Sequence, residues 1–242
     1  MKFRNPVLRI AGLVVFAAGV ALGAAFTVAA VWGDIEAMVF DPSLKADRSW
    51  GSLSCPVLVT SKDTGTATAK IKNTGDNKMT RTIRVHVSHG HVTVMKEFRE
   101  KFVLQPGESK RFEWELLPED AAFGRFILVG AYLPSYHPYP SRRGTCGSLV
   151  VDTEWLSGGQ LTALVVVGSV LSMAGGLGMW ITGNQPAEEE RKSASHAMGV
   201  MAGAIIAGMV ASLLGWWLLA GLLLVVSLFL AAEILRHFLI AR

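Results

Sequence analysis

From Ile10 to Gly33 the chain carries no charged residue, and the run is rich in Ala, Val, Leu and Gly. A bilayer core about 30 Å thick needs about 20 apolar residues at a rise of about 1.5 Å each, so this segment is long enough to cross one. Val28-Ala29-Ala30 resembles a signal cleavage site, which makes a removed leader the alternative. The apolar part of a signal is only about 7–15 residues, and the longer run here favours an uncleaved anchor. Three more such runs follow, Leu161 to Thr182, Ala197 to Leu214 and Trp216 to Arg236. Gly215 with Trp216 and Trp217 is the only break between the last two. One continuous helix there would overshoot the hydrocarbon slab, so a tight helical hairpin is expected.

Composition points the same way. Hydrophobic residues make up 51% of the 242 and charged residues 17%, against about 25% charged in soluble domains. The net charge is +4 without a dense Lys/Arg cluster, which sets nucleic acid aside as a partner.

Positive charge in short connections orients membrane helices. Lys2, Arg4 and Arg9 precede the first run, Arg191 and Lys192 lie between the second and third, and Arg236 and Arg242 end the fourth. With four spans these places share one side, the cytoplasmic one. The resulting division is 1–9 cytoplasmic, 10–32 first span, 33–157 extracytoplasmic domain, 158–182 second span, 183–196 cytoplasmic loop, 197–214 third span, 216–238 fourth span and 239–242 cytoplasmic. Trp32, Trp155, Trp216 and Trp217 then fall near the outer interface and Trp180 near the inner one, the depth that aromatic rings prefer.

Gly199, Gly203, Ala207, Ala211 and Gly215 recur every four residues and form a small-residue stripe on the third span. Gly168, Ser172 and Gly176 repeat this on the second, and Gly19 with Gly23 on the first. Such faces admit a neighbouring backbone, either within this chain's own bundle or on another subunit. Glu233 is the acidic residue inside a span, with Arg236 and His237 at i+3 and i+4. That spacing predicts an ion pair near the cytoplasmic interface.

Between the first two spans the pattern changes to period two. Ala67, Ala69 and Ile71 alternate with polar residues and end at Asn73-Thr-Gly-Asp76. Ile83, Val85 and Val87 alternate, as do Phe112, Trp114 and Leu116 after the turn Gln105-Pro-Gly-Glu108. Phe126 to Tyr132 reads as a strand buried on both faces. Alternation broken by turns every ten or so residues signals a β-sandwich. Cys55 near its start and Cys146 near its end would both face an oxidising compartment, where a disulfide between them is expected; two free thiols holding a metal is the alternative.

Lys72-Asn-Thr-Gly75, Val85-His-Val87 and Leu104-Gln-Pro-Gly-Glu-Ser109 with Trp114 resemble the bacterial and archaeal CARDB-like Ig domains over residues 55–151. The resemblance implies an Ig-like fold and an adhesive or scaffolding habit, and the expected location is a prokaryotic cell membrane. The expected fold class is therefore mixed: four transmembrane α-helices plus one extracytoplasmic Ig-like antiparallel β-sandwich inserted between the first two.

His86, His89, His91 and His137 all lie in that domain, and His89-Gly-His91 places two imidazoles where copper or zinc could be shared. An exposed turn is the plain alternative, and no cofactor is expected. The segment Ser135–Arg143 offers Tyr136, Tyr139, Arg142 and Arg143 as a contact loop, since Tyr and Arg are enriched at binding hot spots. No nucleophile elbow, zincin, P-loop or dinucleotide motif is present. The expected role is non-enzymatic: a membrane-anchored accessory or scaffold subunit meeting other membrane subunits or further copies of itself. A copper- or zinc-handling subunit of a membrane metalloenzyme is the alternative, and a small-molecule transporter ranks third.

Overall fold

The computed structural model describes residues 6–43, 45–137, 139–183 and 189–240, and their side chains except at 189–193 and 233–240. The expected Glu233–Arg236–His237 pairing lies outside the described side chains. The chain divides into two compact units, residues 1–31 with 163–242, and residues 32–162.

The first unit is helical. Helices α1 (Pro6–Val39), α2 (Gly158–Gly183), α3 (Glu189–Leu213) and α4 (Trp217–Ile240) account for its described residues or enter it from the second unit. Three of them are long and apolar enough to cross a membrane: α1, α2 and the Ala194–Leu213 part of α3. The described apolar part of α4, Trp217–Ala232, is shorter. α1 outruns its expected end at residue 32 by two turns, because nothing between Gly33 and Val39 breaks a helix. α3 starts inside the expected 183–196 loop, where Glu189, Glu190, Arg191 and Lys192 are good helix formers. Gly215, with φ +71°, turns the chain between α3 and α4.

Small residues let α1 and α2 touch backbone to backbone. A Cβ on Gly12 would lie 2.8 Å from the Gly176 carbonyl, and one on Gly19 2.8 Å from the Ser169 carbonyl. The Ser169 hydroxyl donates to the Gly19 carbonyl at 2.8 Å. Other hydroxyls fold back on their own helix, Thr27 onto Gly23, Ser212 onto Gly208 and Ser227 onto Leu223, so no partner is needed from apolar surroundings. The stripe on α3 behaves differently. Gly199, Gly203 and Ala207 are exposed while Ala211 is buried, and a Cβ on Gly199 or Gly203 would meet nothing within 4 Å.

The second unit is built on strands β1 (Arg48–Ser49), β2 (Leu53–Ser54), β3 (Leu58–Thr60), β4 (Gly65–Lys72), β5 (Met79–His89), β6 (His91–Leu104), β7 (Ser109–Leu116), β8 (Phe126–Leu133) and β9 (Arg142–Val151). One sheet has the order β1-β9-β8-β5-β6, with β3 also on β9; the other is β2-β4-β7. Their inward residues form one core, with Ala67, Ala69, Phe112 and Trp114 from the small sheet and Ile83, Val85, Val87, Ile127 and Val129 from the large one. The alternation in the sequence is what places these side chains on a single face.

The sheets are not wholly antiparallel, as the alternation suggested. β1 and β3 each pair parallel with β9, because the chain runs beside β9 in its own direction and steps to the small sheet only at β2. Cys55, just after that step, is bonded to Cys146 on β9, which fastens the crossing strand to the sheet it leaves.

Asn73 organises one end of this unit. Fully buried, it donates through Nδ2 to the carbonyls of Asn77 and Leu104, and its Oδ1 accepts from the Gly75 amide and the Tyr139 hydroxyl. Its backbone joins the next turn through Gly107 and Glu108. A single amide thus ties together the β4–β5, β6–β7 and β8–β9 connections.

Candidate functional site

Charged side chains of the β unit hold the helix ends that belong to it. Arg143 Nη2 donates to the Phe40 carbonyl at 2.5 Å and to that of Met38 at 3.4 Å, a cation at the negative end of α1. Around that end, Ala37 and Phe40 pack on Ala122, Phe126 and Leu128, and Asp34 Oδ1 accepts from the Gly147 amide at 3.2 Å. At the start of α2 the sign is reversed. Both carboxylate oxygens of Asp63 accept from the Gly158 amide, at 3.2 and 3.0 Å. Ser157 and Gln160 add a reciprocal capping box.

The histidines do not gather. His86 Nδ1 donates to Asp41 Oδ2 at 2.5 Å, and its Nε2 lies 3.5 Å from Glu97. Burial alone would raise the Asp41 carboxyl, but the hydrogen bonds from Ser43 and His86 outweigh it and hold the group below its ordinary 3.8. His89 Nδ1 faces Asp120 Oδ1 at 3.0 Å. His91 contacts Thr93 and stands edge-on to Phe123, and His137 is exposed in the Tyr136–Tyr139 turn. Among the described residues, His89, Glu119 and Asp120 are the group whose ligand atoms come within 4.8 Å of one another. A cation is already there: Lys96 Nζ lies 2.5 Å from Asp120 Oδ1 and 3.5 Å from Glu119. Hydrogen bonding to Asp120 raises the ammonium's affinity for its proton, so a metal would have to displace it.

The contact loop is mostly turned inward. Tyr139 is held by Asn73, and Arg143 by the end of α1. Arg81 is buried at the same end, donates to the carbonyls of Pro134 and Pro140, and lies over the Tyr139 ring. Burial and the nearby Arg142 lower its affinity for its proton. Tyr136 is the loop aromatic left facing out, 59% exposed.

The open feature of the unit is β6. It is an edge strand, paired with β5 on one side only. Val94, Met95, Phe98 and Val103 are exposed along it. Among the described residues, no backbone hydrogen bond fills its outer side between Val94 and Val103.

No family model matches the chain, and no curated protein matches it. Among solved structures, it is similar to the CARDB domain of a Pyrococcus furiosus protein in complex with di-metal ions, at 15% identity and a TM-score of 0.33, over 42% of this chain and 90% of that one. It is also similar to a Paenibacillus sp. cycloisomaltooligosaccharide glucanotransferase, at 15% identity and 0.32, over 44% of this chain and 14% of the enzyme. A Bacteroides uniformis β-glucuronidase gives 18% and 0.31, over 40% and 12%. The chain thus spans most of the isolated domain and a small fraction of either enzyme. The architecture described above rests on the sheet order and register themselves.

Three structural residues escaped the sequence reading: Asp41, Asp63 and Arg81. Each is a charged residue whose partner lies far along the chain or across a turn, and no spacing rule marks it. The capping pair Ser157 and Gln160 escaped the sequence reading too, although S-x-x-Q ahead of an apolar run is a signal that could have found it.

Proposed function

We propose that the chain is a non-enzymatic, membrane-anchored accessory or scaffold subunit. Its apolar helices cross the membrane four times, both termini are cytoplasmic, and its β unit is extracytoplasmic and Ig-like. The observation that carries this reading is the unpartnered stripe on α3. Gly12 and Gly19 of α1 and Gly176 of α2 are consumed by the contact between those helices, whereas Gly199, Gly203 and Ala207 face away from the chain's own helices, as Gly175 and Gly178 of α2 do. In a bilayer, a small-residue face of that kind is where another helix packs. A disulfide joining the ends of the β unit agrees with an oxidising outer compartment. The adhesive habit of CARDB-like domains, to which the turn motifs point, is consistent with a contacting rather than a reacting domain.

Purification in mild detergent tests this. Stoichiometric partner chains or a defined homo-oligomer are expected, and Gly203→Leu should disrupt the assembly without unfolding the chain. A monomer without partners, unaffected by that change, would overturn the reading.

The rival is copper or zinc handling, and the ligand atoms of His89, Glu119 and Asp120 favour it. Metal analysis after loading decides between them. The scaffold reading expects substoichiometric metal that His89→Ala leaves unchanged; stoichiometric metal lost in that variant would establish the rival.

A further inference from the structure

We infer that β6 is a self-complementary edge, on which a second copy of this chain adds its own β6 antiparallel to make one sheet continuous across a two-fold axis at Phe98. The inference specifies one contact within the scaffold reading and rests on it for the role of that contact, not for its geometry.

An edge strand exposes a row of unpaired N–H and C=O groups, and proteins usually guard it with bulges, Pro or charged side chains. On β6 the guard is charge alone, at Lys96, Glu97, Arg99, Glu100 and Lys101. The strand pairs with β5 in unbroken register from Met79↔Leu104 to Ser88↔Met95, and the irregularity comes only beyond Ser88. No Pro interrupts it. Its exposed side chains include Val94 at 51%, Phe98 at 37% and Val103 at 45%, apolar surface that a neighbouring strand would cover.

The charges set both partner and register. Residues 96–101 read Lys-Glu-Phe-Arg-Glu-Lys. Directly opposed residues in an antiparallel pair lie on the same face and interact. With Phe98 opposite its own copy, Glu97 faces Arg99 twice by symmetry, and Lys96 stands opposite Glu100, although Asp120 and Lys110 already hold those two within the chain. No like charges are opposed. Every neighbouring register fails. An axis between two residues is excluded by geometry, because a two-fold normal to the sheet opposes only residues on the same face. An axis on Arg99 or on Glu97 opposes that residue to itself. The same-strand pairing of Arg99 with Glu97, at 2.5 Å, holds both groups on one face, and in the dimer each would be shared with the second copy.

The test uses the full chain in mild detergent. Its two native cysteines are bonded to each other, so an introduced thiol is the only one free. Phe98→Cys, sitting on the axis, should oxidise to a covalent dimer. Val103→Cys, opposite Thr93 of the second copy, should not, while Thr93→Cys/Val103→Cys should. Glu97→Arg should weaken dimerisation about tenfold, from two lost attractions and two new repulsions, and Glu97→Arg/Arg99→Glu should restore it. Equal cross-linking of Phe98→Cys and Val103→Cys, or an oligomer indifferent to Glu97→Arg, would overturn the inference. Co-purifying partner chains without a 98–98 cross-link would end the dimer and leave the scaffold reading standing. Loss of the scaffold reading would show instead as a monomer with neither.

Discussion

β5 and β6 are partners in one hairpin, yet they live in different environments. β5 lies between β8 and β6, and every second residue from Met79 to Val87 is buried. β6 has a neighbour on one side only, and just Phe102 and Leu104 are buried along it. The difference follows from position in the sheet rather than from strand propensity. A central strand is covered by its neighbours and by the opposing sheet, while an edge strand extending past that sheet keeps its side chains in solvent. The stability of this unit is therefore concentrated in β5 and its inward neighbours, and β6 remains available for contact.

That contrast can be broken or sharpened by substitution, read by denaturation of the purified protein in detergent. The largest effect belongs to the bond that closes the unit. Replacing both Cys55 and Cys146 by Ser frees a loop spanning 91 residues and should lower stability by about 4 kcal/mol. Ile83→Ala on β5 empties a fully buried site and should cost about 3 kcal/mol, whereas Val94→Ala on β6 should stay within about 0.5 kcal/mol. Equal costs at the two positions would refute the contrast. Asn73→Ala leaves buried carbonyls and an amide without partners, for a loss of about 1–3 kcal/mol.

The smallest effect is on pH dependence. The Asp41 carboxyl titrates below its ordinary 3.8 in the folded chain. Its stabilisation is therefore present above that value and is lost as pH falls through the lower, folded one. Asp41→Asn should flatten this acid limb. Glu97→Gln, removing the exposed β6 partner of the same histidine, should flatten it less.

The sequence announced β5 and hid β6 for the same physical reason. Ile83, Val85 and Val87 must alternate because one face is in the core. Glu97, Arg99, Glu100 and Lys101 are exposed on both faces of the sheet, and Lys96 is half-buried against Asp120, so no alternation survives to mark a strand. β4 and β7 were legible for the reason β5 was, and β8 as a continuous apolar run buried on both faces. The parallel pairings of β1 and β3 were not, because strands of two or three residues are too short to carry a period. Among the candidate site residues, the cysteine pair was legible from compartment logic. The roles of Tyr139 and Arg143 were not, since Tyr and Arg serve a binding loop or an internal clamp equally well, and only the proximity of Asn73 and Phe40 decides between them.

The account depends on the β unit and the cytoplasmic termini lying on opposite sides of a bilayer crossed by the apolar helices. A thiol introduced at exposed His137 and challenged with a membrane-impermeant maleimide on intact cells tests this directly. Labelling before lysis, with Cys55 and Cys146 unreactive until reduced, is the predicted result. Labelling of position 137 only after the membrane is opened would contradict it.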